Sequence, residues 1–243
     1  MRYNTFMSNN PRFLDLFNRL DESCRERYHI EDRTSSAISF LSAKLAHSSS
    51  KKDNDLGESL DAIRQLRNTL VHAEKVDGEE LAEVNPKLLD DLERAVRYVE
   101  NPPKALDNAI PYSHLFVVGL DESFSSVLTI MMRRGFSHVP VTDNGGLLGV
   151  FSEEVLTSYL IAKGTLSLSS ALKVRDFLAF LPLEKHLNER YVFMDRNALL
   201  EDAREAFSSS KAKTGKRLAM IFISEHGRPD EAILGALVPS ALI

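Results

Sequence analysis

The chain holds one cysteine in 243 residues, Cys24, which excludes an internal disulfide and a cysteine-rich zinc site. Also missing is an apolar run near the roughly 18 residues that a bilayer crossing needs. The opening MRYNTFMSNNPRF has no apolar core of a secretory signal, so no leader is expected. There is no basic excess either: Lys+Arg number 30 against 35 Asp+Glu, a formal net charge of −5, which argues against general coating of nucleic acid. Residues 1–100 carry 15 basic and 19 acidic side chains and the remainder 15 and 16, so any nucleic-acid contact has to come from a local patch. These absences lead us to expect a soluble, cytoplasmic protein with no membrane contact, and no metal ligands are singled out from the sequence. What is present is ordinary for a globular protein, 43% hydrophobic and 27% charged residues, in a length that suits one large domain or two small ones.

The first hundred residues read as helices. Phe13, Leu16, Phe17 and Leu20 follow helical spacing, and Ile38, Leu41, Ala43 and Leu45 form a second series. A polar break, HSSSKKDNDLGES, separates these from a third helix carrying Leu60, Ile63, Leu66, Leu70 and Val71. A fourth starts at Asn85-Pro86 and carries Leu88, Leu89, Leu92, Val96 and Val99, with proline suited to the first helical position. The Asn-Pro-Pro stretch at 101–103 then marks a domain boundary.

Beyond it the pattern changes to short strands and helices. His114–Val118, His138–Val141 and Leu147–Phe151 read as strands, the last two joined by the turn signal Thr142-Asp-Asn-Gly-Gly146. An amphipathic helix spans Ser123–Arg134 and closes at Gly135, and another begins at Ser152. Arg190–Met194, a helix with Leu199, Ala203, Ala206 and Phe207, Leu218–Ser224 and Ala232–Val238 repeat that order. Two β-α-β-β-α units in about 140 residues make an internal repeat, and neither can bury its apolar faces alone. The second unit has almost no room for its closing helix after Pro239-Ser240.

The stretch DESFSSVLTIMMRRGFSHVPVTDNGGLLGVFSEEVL resembles a CBS motif, and MDRNALLEDAREAF…RLAMIFI…ILGALVPSAL is a looser match. Together they resemble a CBS pair, or Bateman module, which implies a regulatory module binding an adenine nucleotide (AMP, ADP or ATP). The family marks its ligand site with Gly, then Ser or Thr three residues on, then Asp three beyond. Here the first unit offers Gly149 and Ser152 but Val155 in place of the aspartate; the second offers Gly235, Val238 and Ala241. Glu154 is the neighbouring carboxylate, displaced by about 100° around the helix. Ser152 is equally suited to N-cap the helix that follows. Arg133 and Arg134 are candidates for the phosphate, although at a helix C-terminus they already complement its dipole. Lys216 and Arg217, with Lys211 and Lys213, either face the anion or form a solvated loop.

In the third helix, Arg67-Asn68-Thr69-Leu70-Val71-His72 resembles the Arg-Asn-x-x-x-His signature of HEPN domains, and FLDLFNRLDESCRERY resembles their first helix. That resemblance implies a metal-independent ribonuclease acting as a homodimer on RNA. His72 has the chemistry of a proton donor and acceptor near neutral pH, Arg67 that of a transition-state phosphate ligand, and Asn68 that of an orienting group. Arg67 and His72 lie about 140° apart around the helix axis, so one helix converges them poorly and a dimer is expected to complete the site. The alternative is that these side chains only stabilise the bundle.

The expected architecture is therefore multidomain, α and α/β. A HEPN-like helical bundle (1–100) precedes tandem CBS repeats (101–243; first about 103–163, second about 173–243). The expected function is nucleotide sensing by the CBS pair that controls the ribonuclease; the rival is a non-catalytic adaptor whose helices mediate dimerisation or partner binding.

Overall fold

A computed structural model describes residues 8–48, 50–72, 82–164, 169 and 171–242, with side chains at all of these except 210–213, 241 and 242. The chain divides into two compact units, Met1–Pro102 and Pro103–Ile243. No helix among the described residues is long and apolar enough to cross a membrane.

The first unit is built from α1 (Asn10–Tyr28), α2 (Ala37–Ala46), α3 (Lys51–His72) and α4 (Pro86–Glu100), with no strand among its described residues. Phe13, Phe17, Leu20 and Cys24 put a stripe of α1 into the core against Ile38, Leu41, Leu56, Leu60, Leu92 and Val96. Ser36 caps α2 by accepting from the Ser39 N–H, and Asn85 caps α4 by accepting from the Lys87 N–H. Two expectations are corrected. The polar stretch 47–59 is mostly helix, because α3 begins at Lys51 and turns Leu56 and Gly57 inward. Gly57 lets the helices approach: a Cβ there would sit 3.1 Å from the Ser42 carbonyl oxygen. Ala43 and Val71 are exposed, whereas Ser42 is buried, its hydroxyl donating to the Gly57 carbonyl oxygen at 2.9 Å.

Burial among these helices pushes the Cys24 thiol up to about 12, helped by the nearby Asp21 carboxylate. Because the folded value lies above that of an unfolded cysteine, the stability it supplies is full below about pH 8.5 and is lost as pH climbs toward 12.

The second unit contains β1 (Ile110–Pro111), α5 (Phe124–Arg134), β2 (His138–Asp143), β3 (Gly146–Ser152), α6 (Glu153–Lys163), β4 (Glu189–Asp195), α7 (Leu200–Thr214), β5 (Arg217–Ser224) and β6 (Ile233–Leu237). Strands β2 and β3 form a hairpin whose turn has Asn144 and Gly145 at positive φ, the backbone of a type I′ turn. The other sheet runs β1-β6-β5-β4, with β4 and β5 parallel around α7 and the other pairs antiparallel.

The expected strand at His114–Val118 does not form. Tyr112–His114 is a 3-10 turn, and only Val118 bridges β2, in parallel with Val141. Val118 donates to the Pro140 carbonyl and accepts from the Thr142 N–H. The next rung toward Phe116 would need an N–H at position 140, and proline has none. In the other half β5 has no proline, and it pairs with β4 along the strand's whole length.

Each half of this unit sends its leading segment to the other. In the first, Ala105 N–H donates to the Ala198 carbonyl (2.8 Å), Leu200 N–H donates to the Pro103 carbonyl (2.9 Å), and Pro111 pairs with Gly235. In the second, Val174 N–H donates to the Glu122 carbonyl, Phe124 N–H donates to the Leu172 carbonyl, and Val150 N–H donates to the Leu181 carbonyl, each at 3.0 Å. Both segments continue into a proline, Pro111 or Pro182, and then a 3-10 turn. Phe177, carried across in this way, is fully buried against Phe124, Phe151 and Tyr159, with ring centroids 4.5–5.3 Å away. The two exchanges explain two glycines. A Cβ on Gly149 would overlap the Leu181 carbonyl, and one on Gly235 would stand 2.8 Å from the Ile110 carbonyl oxygen.

Replacing Gly149 with alanine should therefore destabilise the second unit by about 1–3 kcal/mol, since backbone cannot move aside cheaply. Gly119, with open space around its Cβ position, supplies the control: Gly119→Ala should leave the urea midpoint nearly unchanged. In the first unit, Cys24 should resist a thiol reagent at pH 8–9 in the folded protein and react at once in denaturant, with alkylation followed by mass.

Candidate functional site

Where β3 meets α6, Ser152 is 1% exposed and its Oγ has no hydrogen-bond partner among the described residues. It stands at the N-cap position of α6, but its side chain makes no cap bond. A buried hydroxyl without a partner costs about 1–3 kcal/mol, so this one calls for an account.

Around it the second half supplies a cluster of polar side chains. Tyr191, from β4, stands near enough to Ser152 to feel its hydroxyl, yet the geometry of a hydrogen bond between them is not met. His186 follows the 3-10 turn Leu183–Lys185 and is completely buried. Its Nε2 lies 3.4 Å from the Leu181 carbonyl oxygen and its Nδ1 3.4 Å from the Tyr191 hydroxyl, both long for hydrogen bonds. Tyr191 also donates to Glu189 Oε2 at 3.4 Å.

Glu189 opens β4 and ties the halves together. His138 Nε2, from β2, lies 2.9 Å from Glu189 Oε2, and Arg217 donates to Glu189 Oε1 at 2.5 Å. Burial opposes ionisation of Glu189, but the bonds from His138 and Arg217 outweigh it and hold the carboxyl at about 2. Burial, with the Glu189 charge adding to it, pushes the Tyr191 phenol well above its ordinary range, so it stays protonated as a donor.

The residues expected to meet a ligand separate into two groups. Ser152, Glu154, Lys216 and Arg217 are brought into this one neighbourhood. Glu154, in the first turn of α6, accepts from the backbone N–H of Leu187 and of Asn188 (3.2 Å). Lys216 donates to the His186 carbonyl at 2.7 Å. Arg133 and Arg134 are exposed at the C-terminal turn of α5 and take no part in these bonds. The side chains of Lys211 and Lys213 lie outside the described residues. His138, His186, Glu189 and Tyr191 were not singled out from the sequence. The available signal was a histidine or glutamate set directly beside an apolar strand, as in Ser137-His138-Val139 and Glu189-Arg190-Tyr191-Val192.

In the first unit a groove of about 470 Å³ is lined by Arg67 and Asn68 together with Arg25, Arg33 and Arg64 and the carboxylates Asp21 and Glu22. The Arg67 guanidinium stands 5.5 Å over the Phe17 ring, and Arg67 donates to Asn68 Oδ1 at 3.3 Å. His72, exposed in the last turn of α3, does not line that groove. The divergence of about 140° expected from helical geometry is thus retained.

Residues 108–162 match the family model of the CBS domain. That segment is a CBS domain. It contains β1 through α6, and with them Ser152, Glu154 and His138. Among solved structures, the chain is similar to CBSX2 in complex with AMP, at 19% identity and a TM-score of 0.40, over 58% of this chain and 92% of that one. It is also similar to a CBS-containing hemolysin-like protein of Oenococcus oeni PSU (17%, TM-score 0.38, 60% and 91%). A third is a conserved domain of unknown function from Neisseria meningitidis MC58 (15%, TM-score 0.43, 76% and 99%). No curated protein matches the chain.

The unpartnered hydroxyl in the CBS domain gives a prediction of unusual sign. Ser152→Ala should raise the unfolding free energy by about 1 kcal/mol, because it removes a buried group that nothing bonds. An N-cap serine making its cap bond would lose about 1 kcal/mol on the same change. Urea denaturation of the two proteins decides between these outcomes.

Proposed function

We propose that this chain is a ligand-responsive regulatory protein in which a CBS-type pair, formed by the two exchanged halves of residues 103–243, senses a small anion. An adenine nucleotide is the ligand class that the CBS resemblance implies. The observation that carries the reading is the Ser152 neighbourhood, where a CBS domain's hydroxyl is buried, unbonded and flanked by side chains from the following half. Coupling between halves is what a sensor needs, because a ligand acts only through different affinities for two arrangements. In this arrangement Tyr191 lies beside the hydroxyl, His186 contacts Tyr191, and Glu154 is held by backbone N–H groups. A nucleotide reaching Ser152 therefore has to displace the 181–189 segment, which provides the second arrangement.

The output in this reading is the helical unit as a HEPN-like, metal-independent ribonuclease that works as a homodimer, with Arg67 and Asn68 holding phosphate and His72 moving protons. A specific observation favours the adaptor instead: His72 does not line the groove that holds Arg67 and Asn68, so one chain does not assemble the three. On the ribonuclease reading, the missing histidine comes from the second copy.

Thermal unfolding with AMP, ADP and ATP tests the sensor. A nucleotide at 100 times its dissociation constant should add about 2.7 kcal/mol, and an unchanged transition with all three removes the nucleotide from the reading. Single-stranded RNA tests the output: cleavage by wild type that His72→Ala abolishes establishes the enzyme. Intact RNA under every ligand condition leaves the adaptor.

A further inference from the structure

We propose that Glu154, His186 and Glu189 form a site for one divalent transition-metal ion of the zinc type. One imidazole nitrogen and one carboxylate oxygen from each glutamate lie within 4.8 Å of one another. Zinc-to-ligand bonds of about 2.0–2.2 Å place ligand atoms about 3.4 Å apart in a tetrahedral shell. His186 Nδ1 and Glu189 Oε2 are already 4.0 Å apart, so side-chain adjustments on the order of an ångström close the set. The three come from separate elements, the first turn of α6, the turn after Leu183–Lys185 and the start of β4, and the Val150–Leu181 bond fixes where the last two begin.

The bonds that orient metal ligands are present on all three. A ligating histidine ordinarily donates its second ring N–H to a carbonyl or carboxylate, and ligating carboxylates are themselves hydrogen-bonded. His186 directs Nε2 at the Leu181 carbonyl, which leaves Nδ1 as the lone pair facing Glu189. Glu189 keeps Oε1 on Arg217 while its Oε2, now 2.9 Å from His138 Nε2, is the oxygen that an ion would share or take over, and Glu154 is oriented by the Leu187 and Asn188 N–H groups. An imidazole with two carboxylates suits zinc, cobalt, nickel or iron, whereas calcium and magnesium sites are built from oxygen alone.

Two further facts point to a ligand at this position. His186 is wholly buried with only long contacts at both nitrogens, and the Ser152 hydroxyl is 1% exposed with none. A metal-bound water in the fourth position would lie beside the Tyr191 phenol, whose contacts to His186 Nδ1 and Glu189 Oε2 are both 3.4 Å. The Arg217 and Lys216 cations balance part of the carboxylate charge, so the site is stable without the ion and gains from it. The site belongs to the arrangement in which residues 181–189 cover Ser152, and the proposal does not depend on which nucleotide, if any, opens it.

Cobalt(II) titration of the untagged, chelator-stripped full chain tests this directly. The expected result is one ion per chain, visible d–d absorption of a four- or five-coordinate centre, and displacement by zinc. Glu154→Gln and His186→Asn should each weaken cobalt binding at least 10-fold. Glu154→Gln keeps an oxygen for the Leu187 N–H and decides the matter if His186→Asn fails to fold by circular dichroism. Absence of cobalt and zinc binding at millimolar concentration overturns the proposal. So does binding that Glu154→Gln leaves unchanged.

Discussion

Two points of backbone contact govern the second unit, Leu181 on Gly149 and Ile110 on Gly235. At each, a carbonyl occupies the space where any side chain would begin, and the chain's direction is then set by a proline and a 3-10 turn. Because the two contacts run in opposite senses between the halves, neither half completes its core alone. Phe177 shows the energetic weight of this: it belongs in sequence to the second half but is the centre of the first half's aromatic packing. Burying a side chain of that size contributes about 1.5–3 kcal/mol, which the first half loses if the exchange opens. The halves should consequently unfold together.

The same contacts decide what surrounds Ser152. Once Leu181 is fixed on β3, the following residues must pass over the junction of β3 and α6. That path delivers His186, Glu189 and Tyr191 to a buried place where none of them would be stable unpartnered. The network that results is mixed. Glu189 is well satisfied by His138 and Arg217, His186 makes only two contacts of 3.4 Å, and the Ser152 hydroxyl makes none among the described residues. A buried network with some members satisfied and others short of partners is costly unless something else occupies it.

Much of this architecture was legible in the sequence. Helical spacing located α1, α2 and α4, the Asn-Gly-Gly turn located the β2–β3 hairpin, and the repeat of element order announced two halves. The start of α3 was hidden because its first turns are polar outside and show only Leu56 and Gly57 to the core. The missing strand at 114–118 turns on one hydrogen-bond donor, absent at Pro140, which a β-branched run cannot reveal. Ser152 is legible through a motif, Glu154 as its neighbour, and Lys216 and Arg217 as part of a basic cluster, and the four do lie in one neighbourhood. Their partners His138, His186 and Glu189 come from positions up to 51 residues apart that only the exchange brings together. No local period encodes such a meeting.

The glycines carry the broader lesson for function. Gly149 and Gly235 belong to a pattern associated with ligand sites, yet here each has a sufficient structural cause in a carbonyl of the opposite half. The serine is different: its burial without a partner has no such cause in the fold. The segment over it is held by the Lys216 bond to the His186 carbonyl, by the backbone bonds to Glu154 and by His138 and Arg217 on Glu189, besides the two 3.4 Å contacts of His186. On the proposed sensing reading, a ligand at Ser152 supplies the free energy to lift that segment, and its apparent dissociation constant is the intrinsic one divided by the open fraction. A few kcal/mol between covered and uncovered states is the range in which a modest ligand can move a population.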